Sequence, residues 1–281
     1  MLMSTQANRY AHQLLDARSR SAHMPLLSAD TSLSLSDGYD VAKCIMDIRI
    51  AQGEQPVGRK IGFTNRKVWD KFSPASGPIK APVWGTMYDA TVRYATDNRA
   101  FQSLSGAVQP RLEPEIVFKL GKAPAKNASL ADLAACIEWM AHGFEIVVCP
   151  FPGWRFEPID AVAAFGLHGS LIIGEPRMLS AASRRNLAEV LTNSSVSLSS
   201  DLGDGFVLRG AGFGADVLDS PVHALMHLHK LLQTQQQFAP LAAGEIITTG
   251  TWTEAYPISA GETWTTAFSG VTLPGLTVAF V

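Results

Sequence analysis

The chain has 281 residues, of which 47% are hydrophobic and 17% charged, and its formal net charge is −2. This composition supports a substantial buried core and provides no strong field for nucleic acid or an anionic membrane, so we expect neither partner. Three widely spaced cysteines predict neither a disulfide framework nor a CxxC metal site, and they indicate a reducing, cytoplasmic setting. No apolar stretch has the length of a membrane helix, and the polar first residues predict no export signal.

Two helices are predicted at the start of the chain. Apolar residues recur at helical spacing within residues 5 to 22 and again within residues 36 to 53. After Gly58 the sequence consists mainly of short β-branched or aromatic runs separated by glycine and proline, which is typical of strands. Two further helices are predicted among these strands, at residues 129 to 143 and 220 to 236, and each begins at a serine.

The sequence contains no repeat, low-complexity segment or long linker that would mark a domain boundary. We therefore expect a single unit over residues 1 to 281, with an N-terminal helical region at 1 to 57 and a β-rich core at 58 to 281.

Two acids lie two positions apart in the apolar segment at residues 109 to 121. Alternate residues of a strand face the same side, so Glu113 and Glu115 project together, about 7 Å apart at their backbones. Glu145 is an isolated charge in another apolar strand. Such close carboxylates require a cation or a bound proton, and three acids without sulfur or histidine suit Mg²⁺, Mn²⁺ or Ca²⁺. The alternative is a solvent-facing stripe on an edge strand, against which the apolar residues after Glu115 argue.

Several segments resemble the fumarylacetoacetate hydrolase superfamily, and within it the 2-keto-4-pentenoate hydratase and 4-oxalocrotonate decarboxylase group. Most of the chain after residue 40 follows the family's order and spacing. The segments are GRKIGFTN at 58 to 65, WGTMYDATV at 84 to 92, QPRLEPEIVFKLG at 109 to 121, GFEIV at 143 to 147, GWRFEPIDAVA at 153 to 163, GAGFGADVLDSPVHAL at 210 to 225 and LAAGEIITTGTWTEAYPISAG at 241 to 261.

The resemblance implies an α+β fold with a mixed β-roll core, N-terminal helices and a divalent metal, usually Mg²⁺ or Mn²⁺. Glu113, Glu115 and Glu145 match the family's metal ligands one for one. The implied substrate is a small 2-oxo or 2-hydroxydienoic acid that chelates the metal through its C1 carboxylate and C2 oxygen, so that the metal stabilises the developing enolate. Members of the family usually assemble as homo-oligomers.

Three more residues match positions near the family's metal site. Lys60 corresponds to a lysine that can stabilise an enolate as a cation, or transfer protons if burial lowers its pKa; otherwise it is a surface lysine near a turn. Asp89 corresponds to an acid that orients Lys60 or a water, unless it simply forms a turn. Arg111 faces the same side as Glu113 and either binds a substrate carboxylate or balances the charge of the cluster.

The remaining candidates lie in the second half of the chain. Asp160 matches a hydratase aspartate, for which a role in the site and a structural role are equally compatible. Thr251 lies in a loop that family members close around the substrate, where its hydroxyl binds a carboxylate or shapes a turn. The chain departs from the hydratases at residues 163 to 168, where AAFGLH replaces a polar stretch. His168 is there either an acid or base near the metal or a packed histidine at a strand start.

The resemblance thus predicts a metal-dependent hydratase that adds water at C4 of a 2-hydroxy-2,4-dienoate during aromatic ring breakdown. Because AAFGLH alters the expected pocket, C–C cleavage by a 4-oxalocrotonate-type decarboxylase or an acylpyruvate hydrolase stays open. A metal-stabilised binding protein without turnover is the third hypothesis, and the lysine beside the three acids argues against it.

Overall fold

Residues 4 to 69 and 81 to 281 are described by a computed structural model of the chain. The two predicted N-terminal helices are confirmed as α1 (Ser4–Ser19) and α2 (Leu35–Ala51). Helix α2 begins where it does because the Ser34 side chain accepts a hydrogen bond from the Asp37 backbone, while the Asp37 carboxylate accepts one from the Ser34 backbone. None of the described helices is long and apolar enough to cross a membrane.

Five further helices occur within the described residues, and they interrupt a mainly β-rich region. They are α3 (Leu130–Cys136), α4 (Pro158–Ala163), α5 (Ala181–Arg185), α6 (Leu187–Thr192) and α7 (Pro221–Leu232). The helix expected at residues 220 to 236 is confirmed as α7. Helices α4, α5 and α6 were not predicted, because five or six residues are too few to display a helical period.

A large mixed sheet carries the functional site. Among the described residues it has nine strands, with the principal order β2-β1-β11-β5-β6-β7-β3, while β12 pairs with β5 and β8 with β6. The strands are β1 (Pro56–Gly62), β2 (Val83–Tyr88), β3 (Val92–Tyr94), β5 (Arg111–Leu120), β6 (Ile137–Val147), β7 (His168–Ile173), β8 (Arg177–Met178), β11 (Ile246–Thr248) and β12 (Tyr256–Pro257).

A second sheet packs on the first. In the part of the chain that the structure describes it has the order β10-β9-β13-β14-β4. Leu112 and Phe144 of the large sheet join Leu198 and Trp264 of the small sheet in one buried apolar cluster. The strands are β4 (Arg99–Gln102), β9 (Ser195–Asp201), β10 (Phe206–Phe213), β13 (Thr263–Ser269) and β14 (Thr277–Phe280).

The prediction of a helix over residues 129 to 143 is wrong in its second half. Helix α3 ends at Cys136, and Ile137 begins β6, which pairs with β5 over its whole length. Tertiary pairing overrides local helix propensity here, because this stretch is almost entirely buried between neighbouring strands. The predicted α+β class with a mixed β core is confirmed, since β1–β11 and β3–β7 are parallel and β5–β6 is antiparallel.

Candidate metal centre and substrate cavity

Three carboxylates converge on adjacent central strands of the large sheet. Glu113 on β5 lies directly opposite Glu145 on β6, and Glu115 is two residues further along β5 on the same face. One oxygen from each carboxylate lies within 4.8 Å of the others. The two-residue spacing along β5 places Glu113 and Glu115 on one face. The register between β5 and β6 then brings Glu145 next to them.

Lys60 supplies the positive charge of this cluster. Its Nζ lies 3.1 Å from Glu145 Oε2, and both side chains are buried. Strand β1 brings it there through its parallel pairing with β11, which in turn pairs with β5. The surface-lysine alternative is therefore wrong.

The acids and the lysine alter one another's pKa values. Burial opposes the charge of Lys60, yet Glu145, Glu113 and Glu115 outweigh it and raise the pKa of Lys60. Burial raises the pKa of Glu113 to about 7, and burial together with the other two carboxylates raises the pKa of Glu115 well above its usual range. Burial also opposes ionisation of Glu145, but Lys60 and His168 lower the pKa of Glu145 to about 2. One lysine thus neutralises one acid, and two acids remain without a countercharge.

This donor set fits a divalent cation. Glu115 Oε1 is buried and has no hydrogen-bond partner among the described residues. An orphaned buried carboxylate oxygen is costly unless a cation or proton meets it. Three carboxylates offer hard oxygen ligands and balance the charge of a divalent ion beside Lys60, so the residues present suit Mg²⁺, Mn²⁺ or Ca²⁺.

His168 contacts the cluster from the start of β7. Its Nδ1 lies 2.8 Å from Glu145 Oε1, and its Nε2 lies 2.9 Å from Thr91 Oγ1. Burial lowers the pKa of His168, and both ring nitrogens lie at hydrogen-bond distance from a partner, Nδ1 from the Glu145 carboxylate and Nε2 from the Thr91 hydroxyl. Both ring nitrogens are occupied, and His168 does not line the cavity described below. Of the two alternatives for His168, these contacts support the packed histidine at the start of a strand, and they show that it orients Glu145.

A cavity opens beside the carboxylates. Its described lining includes Lys60 and Glu113, several neutral polar side chains and an apolar set. The neutral polar residues are Thr64, Asn65, Thr251 and Thr253, and the large apolar residues are Ile61, Phe63, Val147, Trp154, Phe156 and Leu167.

Gly250 and Thr64 were not identified from the sequence as residues of the site. Gly250 donates its backbone N–H to Glu115 Oε2 at 2.7 Å, with a φ of +97° that disfavours other residues. Thr64 packs against this glycine so closely that a Cβ on Gly250 would lie 1.8 Å from Thr64 Oγ1. The Thr64 hydroxyl is buried at the cavity wall, without a hydrogen-bond partner in the described part of the chain. The glycine within TTGTW was the one available signal for this contact.

Asp160 does not reach the cavity. Its Oδ1 accepts hydrogen bonds from the backbones of Leu27 and Ser28, while Oδ2 accepts from the Ser28 hydroxyl and the Glu157 backbone. The bond from Glu157 stabilises the first turn of α4, and the bonds from Leu27 and Ser28 attach the segment between α1 and α2 to α4. The substrate-binding prediction for Asp160 is therefore corrected to a structural role, because both carboxylate oxygens are already engaged inside the protein.

Asp89 also lies away from the cluster. It is exposed directly after β2, and its Oδ1 accepts hydrogen bonds from the backbones of Gln55 and Ala90. In the register of β1 against β2, the backbone of Lys60 lies opposite Gly85, which is four residues before Asp89. Asp89 is thus a turn residue, and the expectation that it orients Lys60 is not met.

Thr251 lines the cavity, whereas Arg111 lies beside it against the Trp154 ring. The guanidinium carbon of Arg111 stands 4.2 Å from the centre of the Trp154 ring, and Arg111 is half-buried at the start of β5. Thr251 lines the cavity, and its hydroxyl donates to the Thr253 carbonyl.

Comparisons with known proteins show which enzymes the chain resembles over most of its length. No family model matches the chain. A 2-hydroxyhexa-2,4-dienoate hydratase from Comamonas testosteroni is 27% identical over 270 residues, which are 96% of this chain and 94% of that protein.

Solved structures share the fold. The 4-oxalocrotonate decarboxylase from Pseudomonas putida G7, complexed with magnesium and adipate, has a TM-score of 0.85 and 25% identity, covering 100% of this chain and 99% of that chain. A fumarylacetoacetate hydrolase family protein from Yersinia pestis CO92 has a TM-score of 0.51 and 17% identity, covering 80% of this chain and 93% of that chain. In sequence the chain is similar to 2-keto-4-pentenoate hydratases and 4-oxalocrotonate decarboxylases, and it shares its fold with proteins of the fumarylacetoacetate hydrolase family.

Proposed function

We propose that the chain is a lyase that uses a divalent metal ion to add water to a small 2-hydroxy-2,4-dienoate. The observation that carries this proposal is the cluster of Glu113, Glu115 and Glu145 beside Lys60 at one cavity. The 27% identity with a 2-hydroxyhexa-2,4-dienoate hydratase supports the choice of reaction.

The three carboxylates would hold the ion, for which Mg²⁺ and Mn²⁺ are the candidates. The bound ion would supply a Lewis acid for the C2 oxygen of the substrate. His168 keeps Glu145 in its place, and the Gly250 backbone does the same for Glu115.

Lys60 holds a proton at Nζ because its pKa is raised. Its ammonium group therefore acts as a fixed cation, which stabilises negative charge developing on the substrate's C2 oxygen when a carbon-bound proton moves. Thr251 at the cavity wall and Arg111 beside Trp154 are the proposed contacts for the substrate's polar groups.

The proposal places this enzyme in the cytoplasm, as a homo-oligomer that acts in aromatic compound catabolism. The cysteine usage supports the first of these properties, and the family resemblance supports the other two.

Decarboxylation of a 4-oxalocrotonate-type acid is the second candidate. The observation that favours it is the TM-score of 0.85 with a 4-oxalocrotonate decarboxylase. Both reactions begin with a substrate that chelates the metal through its C1 carboxylate and C2 oxygen. They differ in the bond that is made or broken at the other end of the carbon chain.

The test compares metal-free protein with protein supplied with Mg²⁺, using 2-hydroxypenta-2,4-dienoate and 4-oxalocrotonate as substrates. We expect Mg²⁺-dependent loss of dienoate absorbance and formation of the 4-hydroxy-2-oxo acid. Glu145→Gln should lower kcat/KM by about 1,000-fold or more, and Lys60→Met by about 100- to 10,000-fold.

Glu138→Gln is the matched control, since Glu138 lies on the same strand but pairs with Lys119 outside the cluster. It should retain activity within about twofold, as expected for an exposed ion pair. The proposal fails if Glu145→Gln keeps both its Mg²⁺ affinity and its turnover. Release of carbon dioxide from 4-oxalocrotonate, without hydration of the dienoate, would establish the second candidate instead.

A further inference from the structure

A left-handed turn, formed by residues 165 to 167, lies against the lysine of the candidate site. The three residues have φ values of +62°, +61° and +62°, and two of them, Phe165 and Leu167, are not glycine. A side chain makes this backbone conformation unfavourable, so it persists only where surrounding contacts enforce it. The neighbours of the turn must therefore hold it in place.

The turn packs on β1 and β2 at the point where β1 carries Lys60. In the register of these strands Lys60 lies opposite Gly85. A Cβ on Gly85 would lie 2.5 Å from the Phe165 carbonyl oxygen, and a Cβ on Gly166 would lie 3.1 Å from Lys60 Cδ. The turn is thus packed tightly against the aliphatic part of the Lys60 side chain.

The residue after the turn contacts the same carboxylate as Lys60. The His168 backbone N–H donates to the Phe165 carbonyl, and His168 Nδ1 lies 2.8 Å from Glu145 Oε1. Lys60 Nζ lies 3.1 Å from the other carboxylate oxygen, Oε2. One short segment therefore adjoins both side chains that contact Glu145, and a change in its conformation would move them.

Two arginines from the N-terminal helices hold the Phe165 ring. The guanidinium carbon of Arg18, on α1, is 4.6 Å from the ring centre, and that of Arg49, on α2, is 5.9 Å from it. A guanidinium is attracted to the negative face of an aromatic ring. Arg18 also donates to the carbonyls of the first two residues of β7, and Arg49 is buried in an ion pair with Glu54. The ring is therefore fixed by two cations that are themselves anchored.

We propose that Phe165 is a positioning residue for Lys60. Its ring, held by Arg18 and Arg49, keeps the left-handed turn in the conformation that directs Lys60 Nζ to Glu145. This inference rests on the proposed function, in which Lys60 stabilises negative charge on the substrate. It gives a role to the AAFGLH segment, where the chain departs from the hydratases. The Phe165 ring acts through Lys60, since Phe165 is not among the described residues that line the substrate cavity.

NMR of the lysine ammonium groups in the ¹⁵N-labelled, metal-free protein tests the position of Lys60 without turnover. The Lys60 ammonium is buried and ion-paired, so its protons should exchange slowly with water, and Lys60→Met identifies its signal. Phe165→Leu keeps an apolar side chain but removes the aromatic face, and it should speed this exchange about tenfold or more. Phe165→Tyr keeps the ring and should leave the exchange rate within about threefold.

Kinetics with Mg²⁺ and 2-hydroxypenta-2,4-dienoate separate a positioning role from a merely structural one. Phe165→Leu should lower kcat about tenfold and leave KM within about threefold, because Lys60 acts on charge that develops in the transition state. In a Lys60→Met background the same substitution should lower kcat less than about twofold, since the group that it positions is missing. If Phe165→Leu does not fold, Phe165→Met also lacks the ring and takes its place.

Phe238→Leu is the matched control. Phe238 is buried with its ring centre 4.6 Å from that of Trp84, which precedes Gly85 on β2. Adjacent strand residues point to opposite faces, so this ring packs on the face of β2 away from the left-handed turn. The variant loses a buried ring of the same size, and it should leave both the exchange rate and kcat within about threefold.

The outcomes distinguish this inference from the proposed function. If the dienoate is hydrated but Phe165→Leu leaves the exchange rate or kcat unchanged, or lowers kcat equally in both backgrounds, the positioning role is wrong and the proposed function stands. If Phe165→Leu speeds the exchange but the unchanged chain hydrates no dienoate, the proposed reaction is wrong and the positioning of Lys60 stands.

Discussion

Gly250→Ala tests whether a backbone contact prepares the metal centre. The added Cβ would lie 1.8 Å from Thr64 Oγ1, and the residue would have to keep a φ of +97°. The unfavourable backbone costs about 1 to 2 kcal/mol and the overpacking about 1 to 3 kcal/mol. Displacing the Gly250 N–H from Glu115 Oε2 adds about 1.5 kcal/mol or more, because the acceptor is a buried carboxylate. Together these effects should lower the free energy of unfolding by about 4 to 6 kcal/mol.

Gly244→Ala is the control, since Gly244 has a φ of +90° but an added Cβ there would meet no described atom within 4 Å. It should lose only the backbone contribution, about 1 to 2 kcal/mol. Urea unfolding measures both variants, and calorimetry should show a 10- to 100-fold weaker Mg²⁺ affinity for Gly250→Ala alone, an estimate of about the size found for displaced supporting contacts. The reasoning is refuted if the two variants are equally stable and bind Mg²⁺ equally well.

Three other contacts allow shorter tests. Arg18 donates to the carbonyls of His168 and Gly169, so Arg18→Gln should lower kcat about tenfold and the free energy of unfolding by about 2 kcal/mol. The exposed Arg20→Gln should change neither, and equal activities of the two variants would exclude this positioning role. Asp160→Asn should lower the free energy of unfolding by about 2 to 3 kcal/mol and leave kcat/KM within about threefold at low temperature. A loss of kcat/KM of about 100-fold in a stable variant would instead indicate that Asp160 acts in the candidate site. Burial raises the pKa of Tyr39 to about 12. The unfolded chain releases this proton from about pH 10, so stability should fall by about 2 to 3 kcal/mol between pH 10 and 12, and Tyr39→Phe should remove that part of the loss in alkaline urea titrations; an unchanged slope would contradict it.

Local patterns predicted those parts of the protein that depend on local geometry. Helices α1, α2 and α7 follow from apolar periodicity, and α2 and α7 begin at serine caps. The family motifs anticipated the α+β class and the similarity to hydratases and decarboxylases. Residues 137 to 143 were assigned to a helix because their composition permits one, but pairing with β5 makes them a strand.

In the candidate site, too, the sequence showed the positions of residues along the chain, and the tertiary structure decided their contacts. Asp89 and Asp160 occur in motifs that match the family, yet the structure uses their oxygens for a turn and a helix start. A motif gives the position of a carboxylate along the chain but not the donors that surround it. His168 was an open alternative for the same reason, and its contact with Glu145 arises from the pairing of β6 with β7.

The sequence by itself determined that Glu113 and Glu115 share a face, because the two-residue period of a strand is a local property. It also indicated the resemblance to hydratases and decarboxylases and the oxygen-rich character of the candidate metal site. Only the tertiary structure decided that Glu145 stands opposite Glu113, that Lys60 is held as a cation among three acids, and that aromatic rings line part of the adjacent cavity. These features depend on strand register and burial, which join residues far apart in the chain.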